Sequence, residues 1–141
     1  MKKITIYVDG AVSGTKHAGM AAVSRTEEGY FVGWLSKQMP RMTNNEAEYH
    51  AAMLGLELAG RLGVGQVEIV SDSEVVVRQM RGISRVNSGR LKPLHQLTCQ
   101  LTARFAHVQF RHAPRGNNIL ADALASEALL GRIVRMPPGR Q

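Results

Sequence analysis

The chain has 141 residues, 44% of them hydrophobic, and a single cysteine, Cys99. That is enough for one self-supporting core, and it excludes an intrachain disulfide framework or a cysteine-cluster zinc site. No stretch nears the ~20 apolar residues of a membrane span, and the apolar run 4–8 behind Lys2 and Lys3 is too short for a signal-peptide core, so a soluble, cytoplasmic domain is expected. The formal charge of +7 is uneven, with 11 basic and 3 acidic side chains in residues 73–141 against 7 and 8 in residues 1–72.

In chain order, residues 3–8 alternate with β-branched and aromatic side chains and read as a strand ending at Asp9-Gly10. After a loop carrying Gly14, residues 19–23 and 30–37 read as two more strands, joined by a turn at Glu27-Glu28-Gly29. From 44 to 62, Ala47, Ala51, Leu54, Leu58 and Leu62 recur at spacings of three and four, one face of an amphipathic helix. Thr43 and Glu46 form a capping box at its start, and Gly63 and Gly65 end it. Residues 66–70 are a short strand running into Ser71-Asp72-Ser73, with Ser73 as N-cap of a short helix over 74–81. A loop at 82–89 follows, then a helix marked by Leu91, Leu94, Leu97, Leu101 and Phe105, with Pro93 in its first turn. Residues 107–111 read as a fifth strand and 119–130 as a final helix capped by Asn117 or Asn118. This defines a domain over 1–131 and a loose tail over 132–141. Early strands in a meander and later strands separated by helices predict an α/β fold. Its five-stranded mixed sheet has three antiparallel and two parallel strands, flanked by helices.

Between residues 78 and 92 lie Arg78, Arg81, Arg85, Arg90 and Lys92 and no acid. A one-sided basic field suits a polyanion, because each neutralised phosphate releases condensed counterions. It serves equally as a solubilising surface, and charge alone does not choose between the two.

Four carboxylates stand out against this background. Asp9 and Asp72 each follow an apolar strand, and if those strands are parallel neighbours both acids emerge at the edge where open α/β sheets bind ligands. Singly, Asp9 is an ordinary turn residue before Gly10 and Asp72 an ordinary helix cap; as a pair at matching strand ends they point to a bound cation. Glu46 is explained by the capping box, whereas Glu48, on the opposite side of the helix, has no such duty. Asp122 interrupts the apolar run 119–125 and shares a stripe with Asn118 and Ser126. Four carboxylates from separate elements could hold two divalent cations for an in-line phosphoryl displacement, and hard oxygen ligands favour Mg²⁺ or Mn²⁺.

Tyr-Val-Asp-Gly-Ala (7–11), Thr-Asn-Asn-Glu-Ala-Glu-Tyr (43–49), Val-Ser-Asp-Ser (70–73) and Asn-Ile-Leu-Ala-Asp-Ala-Leu-Ala (118–125) resemble the four signature segments of type 1 ribonuclease H. They stand in the right order, and the resemblance covers about residues 3–130. It implies the ribonuclease H-like fold and metal ligands at Asp9, Glu48, Asp72 and Asp122. It also implies two Mg²⁺ or Mn²⁺ ions and endonucleolytic hydrolysis of the RNA strand of an RNA–DNA hybrid, leaving 5′-phosphate and 3′-hydroxyl ends. His112, ten residues before Asp122, matches the family's mobile histidine, which assists proton transfer or product release. Arg41, Thr43 and Asn44 match a phosphate-gripping pocket, and free N–H groups at a helix start suit an anion. Asn44 and Asn45 resemble residues that bond RNA 2′-hydroxyls and DNA bases in the minor groove, and Gly10, Ser73, Glu74 and Asn118 complete the implied substrate contacts. A monomer is implied, with double-stranded RNA as a second candidate substrate. Trp34 and the methionines are read as packing residues.

The chain departs from the pattern in places. Its first loop, 12–18, lacks an asparagine-proline-glycine turn, and Glu74 stands where some relatives have a glutamine. Only 50 residues separate Asp72 from Asp122, leaving no room for a basic protrusion helix. The chain therefore resembles the handle-less archaeal and plant-like form, with the cations of residues 78–92 as the replacement grip. The competing reading is a catalytically silent hybrid- or double-stranded-RNA-binding module on the same fold.

Overall fold

A computed structural model describes residues 3–14 and 16–136. Strands β1 (Lys3–Val12), β2 (His17–Arg25) and β3 (Phe31–Pro40) precede helix α1 (Asn44–Leu62), strand β4 (Gln66–Ser71), helices α2 (Glu74–Met80) and α3 (Leu91–Thr102), strand β5 (His107–His112) and helix α4 (Ile119–Leu129). The sheet order is β3-β2-β1-β4-β5. β1 pairs antiparallel with β2 and β2 with β3; β1 pairs parallel with β4 and β4 with β5. This is the expected mixed sheet of the ribonuclease H fold.

Alternation along β1 divides its side chains between two cores. Ile4, Ile6 and Val8 join Leu54, Leu58 and Ile69 in the larger cluster beneath α1. Tyr7 and Ala11 face Ala121, Leu124 and Ala125 of α4 on the other side. On that side α4 lies directly on the strand backbone at Gly19, where a Cβ would collide with the Ala125 carbonyl oxygen and the Leu129 amide. Helix α1 begins with the expected box: Thr43 Oγ1 accepts from the Glu46 N–H while the Thr43 N–H donates to Glu46 Oε1. It ends at Gly63 in the left-handed conformation.

Four local expectations change. β1 does not stop at Asp9-Gly10 but runs to Val12, because β2 pairs with it as far as Val12↔Ala18; it is β4 that stops beside Asp9, the last parallel pair being Val8↔Ser71. α3 ends at Thr102 rather than at Phe105, which still packs against the larger core. Asn118 occupies the N-cap position of α4, yet neither it nor Asn117 caps the helix through a side chain, since the Asn118 carboxamide is engaged by the Val8 carbonyl. Of the expected loose tail, residues 133–136 lie along β3, with Trp34 Nε1 donating to the Val134 carbonyl at 2.8 Å and Met136 against the core; residues 137–141 lie outside the described residues.

Candidate active site

The parallel register that sets Val8 level with Ser71 makes Asp9 and Asp72 the next residues on adjacent strands. Helix α1 crosses β1 just beyond them. The crossing is close: a Cβ on Gly10 would lie 2.6 Å from the Ala47 carbonyl carbon, so only glycine lets the strand approach the helix start. The approach delivers Glu48, one residue along, and the Gly10 N–H donates to Glu48 Oε1 at 2.6 Å and to Asp9 Oδ1 at 3.0 Å. Carboxylate oxygens of Asp9, Glu48 and Asp72 all lie within 4.8 Å of one another. Asp122, in the first turn of α4 on the other face of the sheet, comes near enough to Asp9 to oppose its ionisation, but it stands outside the group of three whose oxygens converge.

Such crowding opposes ionisation. Burial pushes Asp9 up to about 8, reinforced by the carboxyls of Asp122 and Asp72. Burial likewise pushes Glu48 up to about 9, with Asp9 and Asp72 adding to it and the Gly10 N–H opposing. Glu46 behaves oppositely: the Thr43 N–H holds its carboxyl below the ordinary range. One oxygen of Asp9, Oδ2, is buried with no hydrogen-bond partner among the described residues. An acid crowded by two other carboxylates is stabilised by taking up a proton or by binding a cation. The donor set is all hard oxygen, which suits Mg²⁺ or Mn²⁺ rather than a soft metal, so the residues present fit the cation that the sequence implies.

A family profile described as reverse transcriptase-like matches residues 7–128. The bifunctional protein Rv2228c of Mycobacterium tuberculosis is 36% identical over 129 residues, 90% of this chain and 35% of that protein. The ribonuclease H1 of the halophilic archaeon Halobacterium salinarum superposes with a TM-score of 0.87 at 33% identity, covering 92% of this chain and 98% of that one. The chain belongs to the type 1 ribonuclease H family. A third member, LC11 ribonuclease H1, superposes in its complex with an RNA/DNA hybrid with a TM-score of 0.84 at 33% identity, covering 91% of this chain and 97% of that one. The chain spans about a third of the mycobacterial sequence and 64% of the curated archaeal one.

The remaining positions that family likeness singles out fall on two sides of the acids. His112 ends β5 on the Asp72 side, exposed, its Nε2 3.2 Å from the Asp72 carbonyl oxygen. At the start of α1, Arg41 and Asn44 are exposed and Asn45 is half-buried, beside a Thr43 already engaged in the capping box. Ser73 caps α2 by accepting from the Val76 N–H, and Glu74 next to it is exposed. Gly10 lies inside the site, but its N–H is taken by Glu48 and Asp9. Asn118 is turned inward and only 2% exposed, away from any solvent-side substrate.

Several residues escaped the sequence reading. Arg115 extends from the turn before α4 to within 3.9 Å of Asp72 Oδ2. Tyr49, the neighbour of Glu48, donates from its buried hydroxyl to Gln79 Oε1 at 2.6 Å, and Gln79 Nε2 donates to the Arg85 carbonyl. Arg90 pairs with Glu46 at 3.6 Å. The basic loop is thereby moored beside the start of α1. The signal for Arg115 is its place as a cation between His112 and Asp122; nothing local to Tyr49 or Gln79 points to a partner 30 residues away.

Proposed function

We propose that this chain is an endonuclease that hydrolyses the RNA strand of RNA–DNA hybrids at a two-cation site held by Asp9, Glu48, Asp72 and Asp122, leaving 5′-phosphate and 3′-hydroxyl ends. The observation that carries the reading is the convergence of three carboxylates, from β1, α1 and the residue after β4, within 4.8 Å of one another, with Asp9 Oδ2 buried and unpartnered among the described residues. Divalent cations bound there would lower the pKa of a water and neutralise charge on the phosphate oxygens. The chain's own side chains do the rest. Asp9, Glu48 and Asp72 would hold the cations, with Asp122 as the fourth ligand. His112, exposed with its Nε2 beside the Asp72 carbonyl, is the side chain that assists proton transfer or product release. Arg41 and Asn44 grip a phosphate at the start of α1, with the helix dipole behind them. Asn44 and Asn45 read the minor groove, where a 2′-hydroxyl separates RNA from DNA. Ser73 and Glu74 extend the contacts along the acid edge. The moored loop with Arg85 and Arg90 continues the binding surface past α1, in the place where a protrusion would otherwise stand. Residues 1–131 act as the catalytic domain; monomeric action, double-stranded RNA as a second substrate and a cytoplasmic setting belong to the same reading.

The test is incubation with labelled hybrid, duplex DNA and duplex RNA, with Mg²⁺, with Mn²⁺ and with chelator, for the wild type and Asp72→Asn. Metal-dependent cleavage of hybrid RNA, lost in the variant with hybrid binding retained, is the expected result. Equal binding without cleavage by the wild type would establish the silent binding module instead, and wild-type rates in the variant would remove Asp72 from the site.

A further inference from the structure

We infer that Asn118 is a positioning residue that locks Asp9 and Asp122 against each other, and not a contact to nucleic acid; the inference rests on the cation-site reading above. Its side chain is 2% exposed. Nδ2 donates to the Val8 carbonyl at 2.8 Å, a bond across 110 residues of sequence. Val8 immediately precedes Asp9 and is the last residue of β1 to pair with β4. The Asn118 main-chain carbonyl meanwhile accepts from the Asp122 N–H at 3.0 Å. One residue therefore grips the backbone next to Asp9 with its side chain and the backbone of Asp122 with its main chain.

Two features separate this from ordinary packing. Asparagine at a helix start normally caps the helix with its side chain, and here the side chain makes no cap bond. Its Oδ1 is also buried with no partner among the described residues, so the hydrogen bond to Val8 is what holds the carboxamide in place. The residue thus forgoes the local bond that would strengthen α4 and makes a distant one that sets where α4 begins relative to β1. Groups that orient ligating carboxylates in this way act on cation affinity rather than on substrate affinity.

The experiment compares wild type with Asn118→Ala at a temperature below both melting transitions. It measures the Mg²⁺ concentration for half-maximal cleavage, the rise in Tm on adding Mg²⁺, and the Kd for hybrid in chelator. The expected result is a rise of about 10–100-fold in the Mg²⁺ midpoint, a smaller Mg²⁺-induced rise in Tm, and an unchanged Kd. A weakened Kd with an unchanged Mg²⁺ midpoint would make Asn118 a substrate contact. A lowered Tm in chelator with midpoint and Kd both unchanged would make it packing only. Either result overturns the inference. Should the alanine variant fail to fold, Asn118→Ser leaves a polar group that cannot reach Val8, and the same three measurements on it decide the matter in the same way. A wild type that neither cleaves nor gains Tm with Mg²⁺ refutes the cation site itself, a distinct outcome.

Discussion

Asp9 and Glu48 each hold a proton more tightly in the folded chain than in the unfolded one, because burial and neighbouring acids penalise their charge. Below about pH 4 both states are protonated and the two groups are neutral to stability. As pH rises through the unfolded carboxylate range toward about 8 for Asp9 and about 9 for Glu48, the unfolded chain releases its protons first and the metal-free fold loses stability. Scanning calorimetry in chelator should therefore give a Tm that falls between pH 5 and pH 9 by an amount that Mg²⁺ largely restores; a Tm insensitive to Mg²⁺ at pH 9 would contradict the cation site. Glu46 and Glu48 provide a paired control. Glu46→Ala removes the capping box and should cost about 1 kcal/mol of stability in denaturant titration while leaving cleavage in place. Glu48→Gln removes a carboxyl whose ionisation the fold opposes yet leaves an oxygen for the Gly10 N–H, so cleavage should vanish while Tm in chelator holds near neutral pH and rises at alkaline pH. The reverse pattern would exchange the roles of the two acids.

Helix α4, which carries Asp122, rests its backbone on β2 at Gly19. Gly19→Val would place side-chain carbon within the space of the Ala125 carbonyl and the Leu129 amide, so α4 must lift. The variant should lose both Tm and the Mg²⁺-induced gain in Tm, more than a core truncation of equal cost that leaves α4 seated. The Tyr49–Gln79 bond is the corresponding tie between α1 and the basic loop. Tyr49→Phe strands a buried Gln79 oxygen and should cost about 1–3 kcal/mol, with weaker hybrid binding and kcat little changed as the loop loosens. At this scale the sequence was informative where the signal is periodic or local. The 44–62 helix, its capping box and Gly63 are all where spacing puts them. The end of β1 was misplaced because alternation stops at Asp9 while pairing, a property of two strands, does not. Asn118, Tyr49 and Gln79 were opaque for the same reason: their partners lie 110 and 30 residues away, and no local pattern encodes a contact of that range. Asp9 and Asp72 end apolar strands and Asp122 interrupts an apolar run, which are local signals, whereas Glu48 stands out only by having no capping duty and by the resemblance of residues 43–49 to the family's helix start.

Across the whole molecule, charge is sorted by task. Setting aside Asp9, Glu48, Asp72 and Asp122 leaves 18 basic against 7 acidic side chains, +11 on the rest of the chain. Association with hybrid should therefore weaken steeply with salt, log Kd rising linearly with log salt concentration. Arg85→Ala should flatten that slope by about 1 and leave kcat intact, whereas Val32→Lys, far from the acids on the β3 edge, should not flatten it. A slope unchanged by Arg85→Ala would remove the loop from the binding surface. The β1–β4 register ties this chemistry to the interior. Since strand side chains alternate between faces, pairing Val8 with Asp72 instead of Ser71 would rotate one acid away from the other and at the same time turn Ile69 out of the larger core. A misaligned chain would thus be penalised by its oily interior long before any nucleic acid arrived, so the packing proofreads the alignment of the acids, and a core loosened enough to tolerate the slip would yield a folded molecule that is inert.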